Sequence, residues 1–276
     1  MDVIIGLGQA GCAIADKFGK YPQYDIYKID VGLKRTPNTY GLQGQKNIQD
    51  YEKKAPTFSR FLNNLSGDVL FVVGGGGAVS SATLSILKRI KHCNISILYI
   101  KPDITFLGKE AQNLNNMCLG VLQEYARSGV FERLYLVDNN ELEEILPAVS
   151  IKKYYDNLNE AIVSTLHMIN VFNNNKSITD TFSPLPIATR ISTIGFVSPE
   201  NNVDKMFFSL DSVTDIAYYY AYSQARLEEG SKLFSEIKKS IKKKITDDVR
   251  VTYGIFETNY EQDYIYCVKH TSVIQQ

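Results

Sequence analysis

The chain has 276 residues, with 30 basic against 30 acidic side chains, and 44% of its residues are hydrophobic. This length can bury one large core or two modest ones, and the balanced charge argues against a broad nucleic-acid-binding surface. The four cysteines and three histidines are scattered without metal-binding spacing, no apolar run is long enough to span a bilayer, and no secretory signal is recognisable. We therefore expect a cytoplasmic protein with reduced thiols, no metal catalysis and no membrane partner.

The first predicted unit is a strand, a glycine turn and a helix. Val3 to Ile5 predicts the strand, and the helix ends near Phe18. Between them lie three glycines at the spacing of the G-x-G-x-x-G pattern: Gly6, Gly8 and Gly11. A second strand, Tyr24 to Ile29, leads to Asp30, where a dinucleotide-binding fold places the acid that binds its ribose.

Taken alone, this pattern predicts an NAD-dependent oxidoreductase. However, any phosphate-binding first turn of a doubly wound sheet selects glycines at a similar spacing. No histidine and no Tyr-x-x-x-Lys pair falls where a dehydrogenase would need its catalytic residue. The oxidoreductase is therefore the weakest of three alternatives.

Two segments separate this unit from the next glycine loop. Asn38 to Lys54 is polar and turn-rich, which predicts a surface loop over a nucleotide, although a plain linker would look the same. Thr57 to Asn64 carries apolar residues at helical spacing and predicts a short packing helix.

A run of four glycines is the most informative feature of the sequence. Asp68 to Val73 predicts a strand buried on both faces, and Gly74 to Gly77 end it. The next segment has an apolar helical stripe, formed by Leu84, Ile86, Leu87 and Ile90. Glycines can bring backbone N–H groups against a ligand, and a helix N-terminus behind them attracts anions. Two such loops predict one phosphate chain held from two sides, in preference to a glycine turn that serves packing alone.

Further elements follow in α/β alternation. A strand begins near Ile97, and Lys109 to Arg127 predicts a long amphipathic helix. We expect its core face to contain Leu114, Met117, Cys118, Val121 and Leu122. Ile151 to Phe172 predicts a central connecting helix, whose apolar stripe is Ile162, Leu166 and Ile169 extended by Tyr155 and Leu158.

Several motifs in this order resemble the tubulin/FtsZ superfamily. They are Gly8–Phe18, Gly74–Ser81 at the place of GGGTG[ST]G, Ile97–Pro102 with Phe106 and Gly108, Leu134–Leu142 with a PND-type turn, and Asn159-Glu160-Ala161. Each motif alone is moderate or weak evidence for the resemblance. The ordered set extends over about residues 1–181 and is fairly specific to this superfamily. The chain is thereby identified as a divergent, phage- or plasmid-type relative of these GTPases.

The resemblance implies a set of nucleotide-binding residues. The two glycine loops would hold the phosphates of GTP or GDP, Asn139 would lie in the PND-type turn, and Asn159 would read the guanine edge, since a carboxamide both donates and accepts hydrogen bonds. The loop residues are Gly8, Gln9, Ala10, Gly11, Cys12, Gly74, Gly75, Gly76, Gly77, Ala78, Val79 and Ser80. Mg²⁺ is a possible companion, but no protein ligand for it can be identified. A surface asparagine early in a helix is the plainer interpretation of Asn159.

The same resemblance places a catalytic loop after the central helix. Family members carry two acids three residues apart, which reach into the nucleotide of the next subunit. Asp180 matches the first acid, whereas Ser183 occupies the second position. Ala78–Ser80 also depart from the phosphate-loop pattern, and Leu107 and Ala111 replace a Glu and an Arg near the nucleotide. GTP hydrolysis is therefore expected to be weak or lost.

The C-terminal part predicts a smaller α+β lobe. We expect strands at 190–197 and 205–210, a helical region at 211–246 broken at Gly230, and a final antiparallel pair at 248–257 and 263–270. A tyrosine cluster on that helix would be partly buried between elements or at an interface: Tyr218, Tyr219, Tyr220 and Tyr222. A basic run on the same helix, from Lys238 to Lys244, could meet DNA, a DNA-binding adaptor, an acidic partner or the next subunit, although most such runs are solvated faces.

The predicted architecture is α/β. A doubly wound, mostly parallel nucleotide-binding domain at 1–150 is followed by a central helix at 151–172 and an α+β domain at 173–276. The predicted function is a GTP-binding protein that assembles head to tail into filaments that position phage or plasmid DNA in the bacterial cytoplasm. The alternative from another class is a non-polymerising binding or regulatory protein on a degenerate scaffold of this family.

Overall fold

The computed structural model of the protein describes residues 1–58, 60–230 and 232–276, and this part of the chain forms twelve strands and eight α-helices. The strands are β1 (Val3–Leu7), β2 (Asp25–Val31), β3 (Thr39–Leu42), β4 (Asp68–Gly74), β5 (Asn94–Lys101), β6 (Arg133–Asp138), β7 (Thr179–Asp180), β8 (Ile191–Val197), β9 (Asp204–Met206), β10 (Asp215–Ser223), β11 (Arg250–Thr258) and β12 (Tyr264–Thr271). The helices are α1 (Gly8–Phe18), α2 (Ile48–Lys53), α3 (Thr83–Leu87), α4 (Lys109–Arg127), α5 (Asn139–Ile145), α6 (Tyr154–Asn174), α7 (Gln224–Glu229) and α8 (Leu233–Lys242).

The strands form one mixed sheet in the order β3-β2-β1-β4-β5-β6-β8-β12-β10-β11-β7, with β9 paired to β8. The first six are parallel and follow the 3-2-1-4-5-6 order of a doubly wound fold, so the predicted α/β class is confirmed. The sheet continues into the C-terminal part where Leu134 to Leu136 of β6 pair with Ile191 to Thr193 of β8. The division at residues 150 and 172 stays a prediction.

Two apolar layers cover the faces of the parallel strands. Residues alternate between them: Val3 and Ile5 of β1 belong to one core, and Ile4 belongs to the other. Helices α3 and α4 contribute to the first core, and α1 and α6 to the second. Residues 69–73 of β4 are fully buried, as the unbroken apolar run predicts.

The two long helices are confirmed with small corrections. Helix α4 has the predicted bounds, but Met117 and Val121 are 70% and 37% exposed, so their assignment to the core face was wrong. Helix α6 buries Ile162, Leu166 and Ile169 as predicted, and it begins after a short 3-10 turn. Tyr155 is 68% exposed and does not extend the apolar stripe. In both helices the buried stripe is narrower than the apolar pattern.

The region between the glycine loops is more ordered than predicted. Instead of one surface loop, 38–54 contains β3, which adds a parallel edge strand to β2, and α2. The helix predicted from Thr57 to Asn64 was wrong: the described residues of this segment form turns, and Ser59 lies outside them. Phe58 has φ 51°, which no helix accommodates, while Phe58 and Leu62 are buried as the packing role requires.

The largest correction concerns the tyrosine cluster. The residues from Asp215 to Ser223 form β10 in the interior of the sheet, not part of a long helix. Tyr219 faces one core with Ala217 and Ala221, and the other face points to a separate cluster. That second face carries Tyr218, Tyr220 and Tyr222. Because both faces are buried, the strand has no polar alternation and its apolar run reads as a helix. The predicted burial of the tyrosines is confirmed.

Neighbouring predictions change with β10. It lies between β11, to which it is parallel, and β12, to which it is antiparallel, so the predicted direct pairing of the last two strands was wrong. The strand expected at 205–210 is only β9. Phe207 and Phe208 beyond it are buried, and the backbone of Phe207 bridges β8 and β6 through Ile194 and Asp138. Helices α7 and α8 are separated at Gly230, as predicted. No helix in the described part of the chain combines the length and apolar character needed to cross a bilayer.

A cluster of charges around Asp204 joins β9, β12 and the chain after α8. Its carboxylate accepts from Lys244, from Lys269 at 2.9 Å and from the Tyr218 hydroxyl at 2.8 Å. Burial alone would raise the pKa of Asp204, but the hydrogen bonds from the two lysines hold the pKa below its ordinary value of 3.8. Lys244 is therefore a structural member of the basic run.

Asp204→Asn should lower the free energy of unfolding at neutral pH by about 1–3 kcal/mol, because two lysines and a tyrosine lose their charged partner. The folded-state pKa is lowered, so the stabilisation is present above the ordinary value of 3.8 and is lost as pH falls through the lowered pKa. The wild-type advantage in urea unfolding should thus begin to shrink below about pH 4 and vanish only below the lowered pKa. Asp247→Asn, at an exposed position, is the control. A wild-type advantage that stays constant into acid would contradict this account.

Candidate nucleotide-binding site

The carboxyl ends of four parallel strands meet at one edge of the sheet. The register pairs Leu7 with Val73, Gly74 with Ile100, and Lys101 with the last residue of β6. The turns that follow β1, β4, β5 and β6 therefore open on the same side. We call this side the nucleotide edge, and it is where doubly wound folds bind ligands.

Close backbone contacts press the start of α1 against β4. A Cβ atom on Gly6 would clash with the carbonyl oxygen of Gly11, and one on Gly11 would clash with the carbonyl oxygen of Val72. Gly8, where the strand turns into the helix, has φ +70°. These three positions accept only glycine without distortion, which explains the spacing of the first motif.

The N-terminus of α1 is open to a ligand. The helix has eleven residues, and its N-cap residue Leu7 makes no side-chain capping bond. The first N–H groups of a helix have no partner within the helix, and here Gln9 and Ala10 are exposed. The free N–H groups and the positive end of the helix dipole favour a phosphate at this point.

Cys12 lies beneath this turn. Its thiol is buried and donates to the carbonyl oxygen of Gly6 at 3.4 Å and to that of Ile29 at 3.7 Å. Burial, followed by the nearby charge of Asp30, raises the pKa of Cys12 to about 12. The side chain therefore supports the turn from below as a neutral thiol.

The four glycines of the second loop have different roles. Gly74 ends β4, next to Ala10, and the N–H of Gly75 donates to the carbonyl oxygen of Ile100 at 2.8 Å. A Cβ on Gly75 would clash with buried side chains from β5 and α4. Those side chains are Tyr99 and Asn115, which hydrogen-bond each other at 2.8 Å. Gly76 has φ +74°, and a Cβ there would lie 2.7 Å from Leu107. Gly77 has open space around it.

The chain behind this loop differs from the prediction. Ala78–Ala82 forms a 3-10 turn before the five-residue α3, so no long helix starts directly after the glycines. Ser80 is buried, and its hydroxyl donates back to the carbonyl oxygen of Gly77. Ala78 is exposed, and Val79 lies close to Gly8 of the first loop. The loop thus offers backbone N–H groups, while its serine side chain is already engaged.

The far wall of the site comes from β5, β6 and α5. Asp138 caps α5 by accepting from the N–H of Asn140 at 2.9 Å, and it pairs with Lys101 at 3.4 Å. Asn139 is the first residue of α5 and is half-buried. Asp103 accepts from the N–H of Thr105 at 2.9 Å; this residue's hydroxyl and N–H lower the pKa of Asp103. These bonds order the turns on either side of Asn139.

Helix α6 begins near the same edge, where the Tyr154 hydroxyl donates to Glu143 of α5 at 2.7 Å, and Asn159 follows about one turn later. Lys17 of α1 pairs with Asp156 at 2.6 Å and with Glu160 at 3.4 Å, so the first turns of α6 lie along α1. Asn159 is half-buried beside these ion pairs. Tyr155 lies one turn earlier on the same helix face and is exposed. The sequence interpretation missed this ring, although its spacing of four residues from Asn159 was the available signal.

Asp180 is not part of this assembly of residues. The side chain of Asn170, near the end of α6, donates to the carbonyl oxygen of Met1 at 3.4 Å, so α6 ends beside the amino end of β1. Asp180 follows on β7, which pairs with β11, and is exposed. Its carboxylate accepts from the hydroxyl of Ser177 and from the N–H of Phe182 at 3.2 Å. We call this opposite side of the sheet the remote edge.

Ser183 occupies the position of the second acid in the family pattern. The hydroxyl of Ser183 accepts from Arg250 at 3.0 Å, and Arg250 also pairs with Asp215 at 2.5 Å. A cation thus lies where the family pattern has its second acid.

Among the residues that the structure describes, no group of three or more His, Cys, Asp or Glu side chains could hold a metal ion.

Comparisons with known proteins rest on structure. No protein-family model matches the chain, and no curated protein matches its sequence. A GTPγS-form protofilament of TubZ from Bacillus thuringiensis serovar israelensis superposes with a TM-score of 0.73 at 17% identity, over 97% of this chain and 85% of TubZ. CetZ from Methanosaeta thermophila gives 0.71 at 15% identity, over 98% and 86%. An empty FtsZ dimer from M. jannaschii gives 0.66 at 13% identity, over 98% and 87%.

These superpositions cover nearly all of the chain and most of each relative. The chain therefore has the fold of the tubulin/FtsZ superfamily.

Proposed function

We propose that the protein binds GTP at the nucleotide edge and assembles head to tail into cytoplasmic filaments. The observation that carries this proposal is the placement of its candidate groups at opposite edges of one sheet. The glycine turns lie at one edge, where α6 begins beside Glu143 of α5, and Asp180 follows the far end of α6 at the other. A site that needs both sets of groups requires two subunits.

Phosphate binding is supported by the backbone. The uncapped N-terminus of α1 and the loop at Gly76 and Gly77 face the same edge from neighbouring strands. Together they supply N–H donors to a phosphate chain from two sides, with no basic side chain required. Mg²⁺ would then be held chiefly by nucleotide phosphates and water, as this ion permits.

Guanine recognition is supported by α6. Asn159 has a carboxamide that can pair with both a donor and an acceptor on the base, and Tyr155 offers an exposed ring on the same helix face. The TubZ structures are GTPγS- and GDP-form protofilaments, so guanine nucleotides are bound within this fold.

Head-to-tail association is supported by the surfaces at the two edges. Phe106 and Ile151, near the nucleotide edge, are 87% and 93% exposed, and Ile178 and Ile187, near the remote edge, are 57% and 60% exposed. Isolated large apolar groups at both ends suit a contact that repeats without closing, which generates a filament. TubZ itself forms two- and four-stranded filaments.

Hydrolysis would use one carboxylate. In the assembled state, Asp180 would enter the nucleotide edge of the next subunit and orient the attacking water. Ser183 adds no second base, and Arg250 beside it would neutralise one. We therefore propose slow turnover. The absence of an acid at Ser183 also supports the alternative of a non-polymerising binding or regulatory protein.

The basic run offers a surface for a further partner. Its exposed members lie on α8 and immediately after it: Lys238, Lys239, Lys242 and Lys243. We propose that this face meets an acidic partner or a DNA-bound adaptor through charge. This partner would determine whether the filament positions phage DNA or plasmid DNA.

The first functional test addresses the base. Asn159→Ala should weaken GTP binding by about tenfold to a hundredfold, because one specific hydrogen-bonding partner is lost, without changing the thermal midpoint. Isothermal calorimetry with GTP and ATP measures both affinity and selectivity. Asn157→Ala, two residues away on another helix face, is the matched control. Equal wild-type affinity for GTP and ATP would refute the guanine assignment.

The second test addresses the phosphate loop. Gly76→Val should abolish nucleotide binding, because φ +74° and the contact with Leu107 leave no room for a side chain and the loop must shift. Gly77→Ala is the control, since a Cβ there meets open space. Calorimetry should show binding only for the control, while circular dichroism shows both variants folded. Unchanged nucleotide binding in Gly76→Val would show that the glycine run serves packing and not phosphate binding.

The third test addresses the remote edge. Asp180→Ala should leave GTP binding by the monomer unchanged, suppress turnover and stabilise any polymer, because the group acts across a subunit contact. Ser183→Asp should give little gain, since Arg250 would pair with the new carboxylate. Phosphate release measured against protein concentration should rise more than linearly in wild type. Turnover per subunit that is independent of concentration, or a fully active Asp180→Ala, would show that the site is not shared.

A further inference from the structure

Helices α7 and α8 cover one face of the C-terminal part of the sheet. Their inner sides pack on the same apolar cluster of β10, β11 and β12, to which α7 contributes Leu227 and α8 contributes Leu233, Ile237 and Ile241. The opposite sides of both helices are exposed. We call this exposed surface the α7–α8 face.

One end of the α7–α8 face is acidic. Arg226 of α7 pairs with Asp263 at 3.4 Å, which places α7 beside the turn between β11 and β12. Four exposed carboxylates belong to α7 and this turn: Glu228, Glu229, Glu261 and Asp263. Arg226 neutralises one of them, and Glu229 and Glu261 form no ion pair with any described residue. We call this group the acidic pole.

The other end of the face is basic. Four exposed lysines lie in the second half of α8 and immediately after it: Lys238, Lys239, Lys242 and Lys243. None of these lysines forms an ion pair with a described residue. Asp247 and Asp248 follow in the turn before β11 and reduce the positive surplus without cancelling it. We call this group the basic pole.

The length of β10 separates the two poles. The acidic pole lies where β12 begins, opposite Ala221 near the carboxyl end of β10. The basic pole lies at the amino end, because Lys244 pairs with Asp204, Asp204 also pairs with Lys269 at 2.9 Å, and Lys269 is opposite Ile216. The nine residues of β10 span about 30 Å. The surplus charges of one molecule therefore cannot neutralise each other.

Each pole is unfavourable in an isolated molecule. Like charges three or four residues apart on a helix repel, as at Lys239, Lys242 and Lys243. Charges on the opposite side of the molecule are paired instead: Lys17 contacts Asp156 and Glu160 of α6. A partner with the reverse order of charges would relieve both surpluses of the α7–α8 face at once.

Helix α5 is a less complementary surface for the basic pole. Glu141 of α5 accepts from the Ser209 hydroxyl at 2.6 Å, and Glu143 accepts from the Tyr154 hydroxyl at 2.7 Å. Two lysines also precede Tyr154 directly in the chain. The carboxylates of the acidic pole are less engaged, so they match the basic pole better.

We propose that the α7–α8 face binds a second copy of this chain as an antiparallel pair, in which the basic pole of each copy meets the acidic pole of the other. A two-fold axis across the face brings both pairs of poles together and closes the contact as a dimer. Each end also carries an exposed apolar side chain, Phe234 at 43% near the acidic pole and Ile245 at 50% beside the basic pole. The pairing covers both.

This proposal identifies the acidic partner proposed above for the basic run as a second copy of the chain. It does not rest on GTP binding, because none of the groups involved lies at the glycine turns. In an assembled protein, the contact would join two filaments side by side.

Sedimentation velocity of nucleotide-free protein tests the pairing. Wild type should form dimers at low ionic strength as the protein concentration rises, and high salt should dissociate them. Lys239→Glu with Lys242→Glu makes both poles acidic, and Glu229→Lys with Glu261→Lys makes both poles basic. Each double variant alone should lose the dimer, whereas an equimolar mixture should recover it, because the two proteins are again complementary.

The control has the same change in net charge at another surface. Lys88→Glu with Lys91→Glu, at exposed positions after α3, should dimerise like wild type. Circular dichroism establishes that all variants are folded. If one of them is not, hydrogen exchange of the wild type decides instead: dimer formation should protect 233–243 and 259–263, and unchanged exchange there would reject the contact.

Further results would overturn the proposal. They are a wild type that stays monomeric at low salt, double variants that dimerise as well as wild type, or a mixture that does not recover the dimer. A wild type that stays monomeric but binds a DNA duplex through the same lysines would assign the basic pole to DNA instead.

Discussion

The nucleotide edge depends on two backbone contacts that have no space for a side chain. Gly6 meets Gly11 across the turn, and Gly11 meets the carbonyl oxygen of Val72 on the next strand. These contacts set the start of α1 against the end of β4, and thereby place its uncapped N–H groups beside the loop at Gly76. Any side chain at these contacts would push helix and strand apart, so the geometry offered to a phosphate would be lost.

Helix α6 determines the distance between the nucleotide edge and the remote edge. Its 21 residues span about 31 Å, from the nucleotide edge to the remote edge. Ion pairs of Lys17 hold its first turns. Further along, His167 stacks on Tyr21 at 3.5 Å between centroids and lies 2.9 Å from the Tyr24 hydroxyl. Burial, with Lys20 nearby, lowers the pKa of His167 to about 4, so this contact is neutral at neutral pH. Asn170 completes the attachment beside β1.

This attachment along the whole helix has a functional consequence. Because α6 is fixed near both of its ends, Asp180 cannot reach the nucleotide edge of its own chain. The proposed chemistry therefore belongs to a contact between copies.

The N-terminal part could be predicted from sequence because its signals are local. Strand runs such as 69–73 end in glycines that the backbone geometry requires, and α4 and α6 carry long apolar stripes. The grouping of Gly8, Gly76 and Asn139 at one edge followed from the order of parallel strands. The positions of the individual nucleotide contacts within that edge stay predictions.

The C-terminal part could not be predicted in the same way. Both faces of β10 are buried, so its tyrosines show no alternation, and its position between β11 and β12 depends on pairings across long stretches of chain. The engagement of Ser80 with Gly77, and of Ser183 with Arg250, likewise depends on tertiary contacts that spacing does not reveal.

The central claim is that nucleotide and subunit contact form one site, and light scattering with electron microscopy tests it most directly. On addition of GTP above a critical protein concentration, scattering should rise and single-file filaments should appear, with the nucleotide between the glycine turns of one subunit and Asp180 of the next. GDP or ATP should give no such rise. A protein that binds GTP yet stays monomeric at every concentration, or that polymerises equally without nucleotide, would contradict the account.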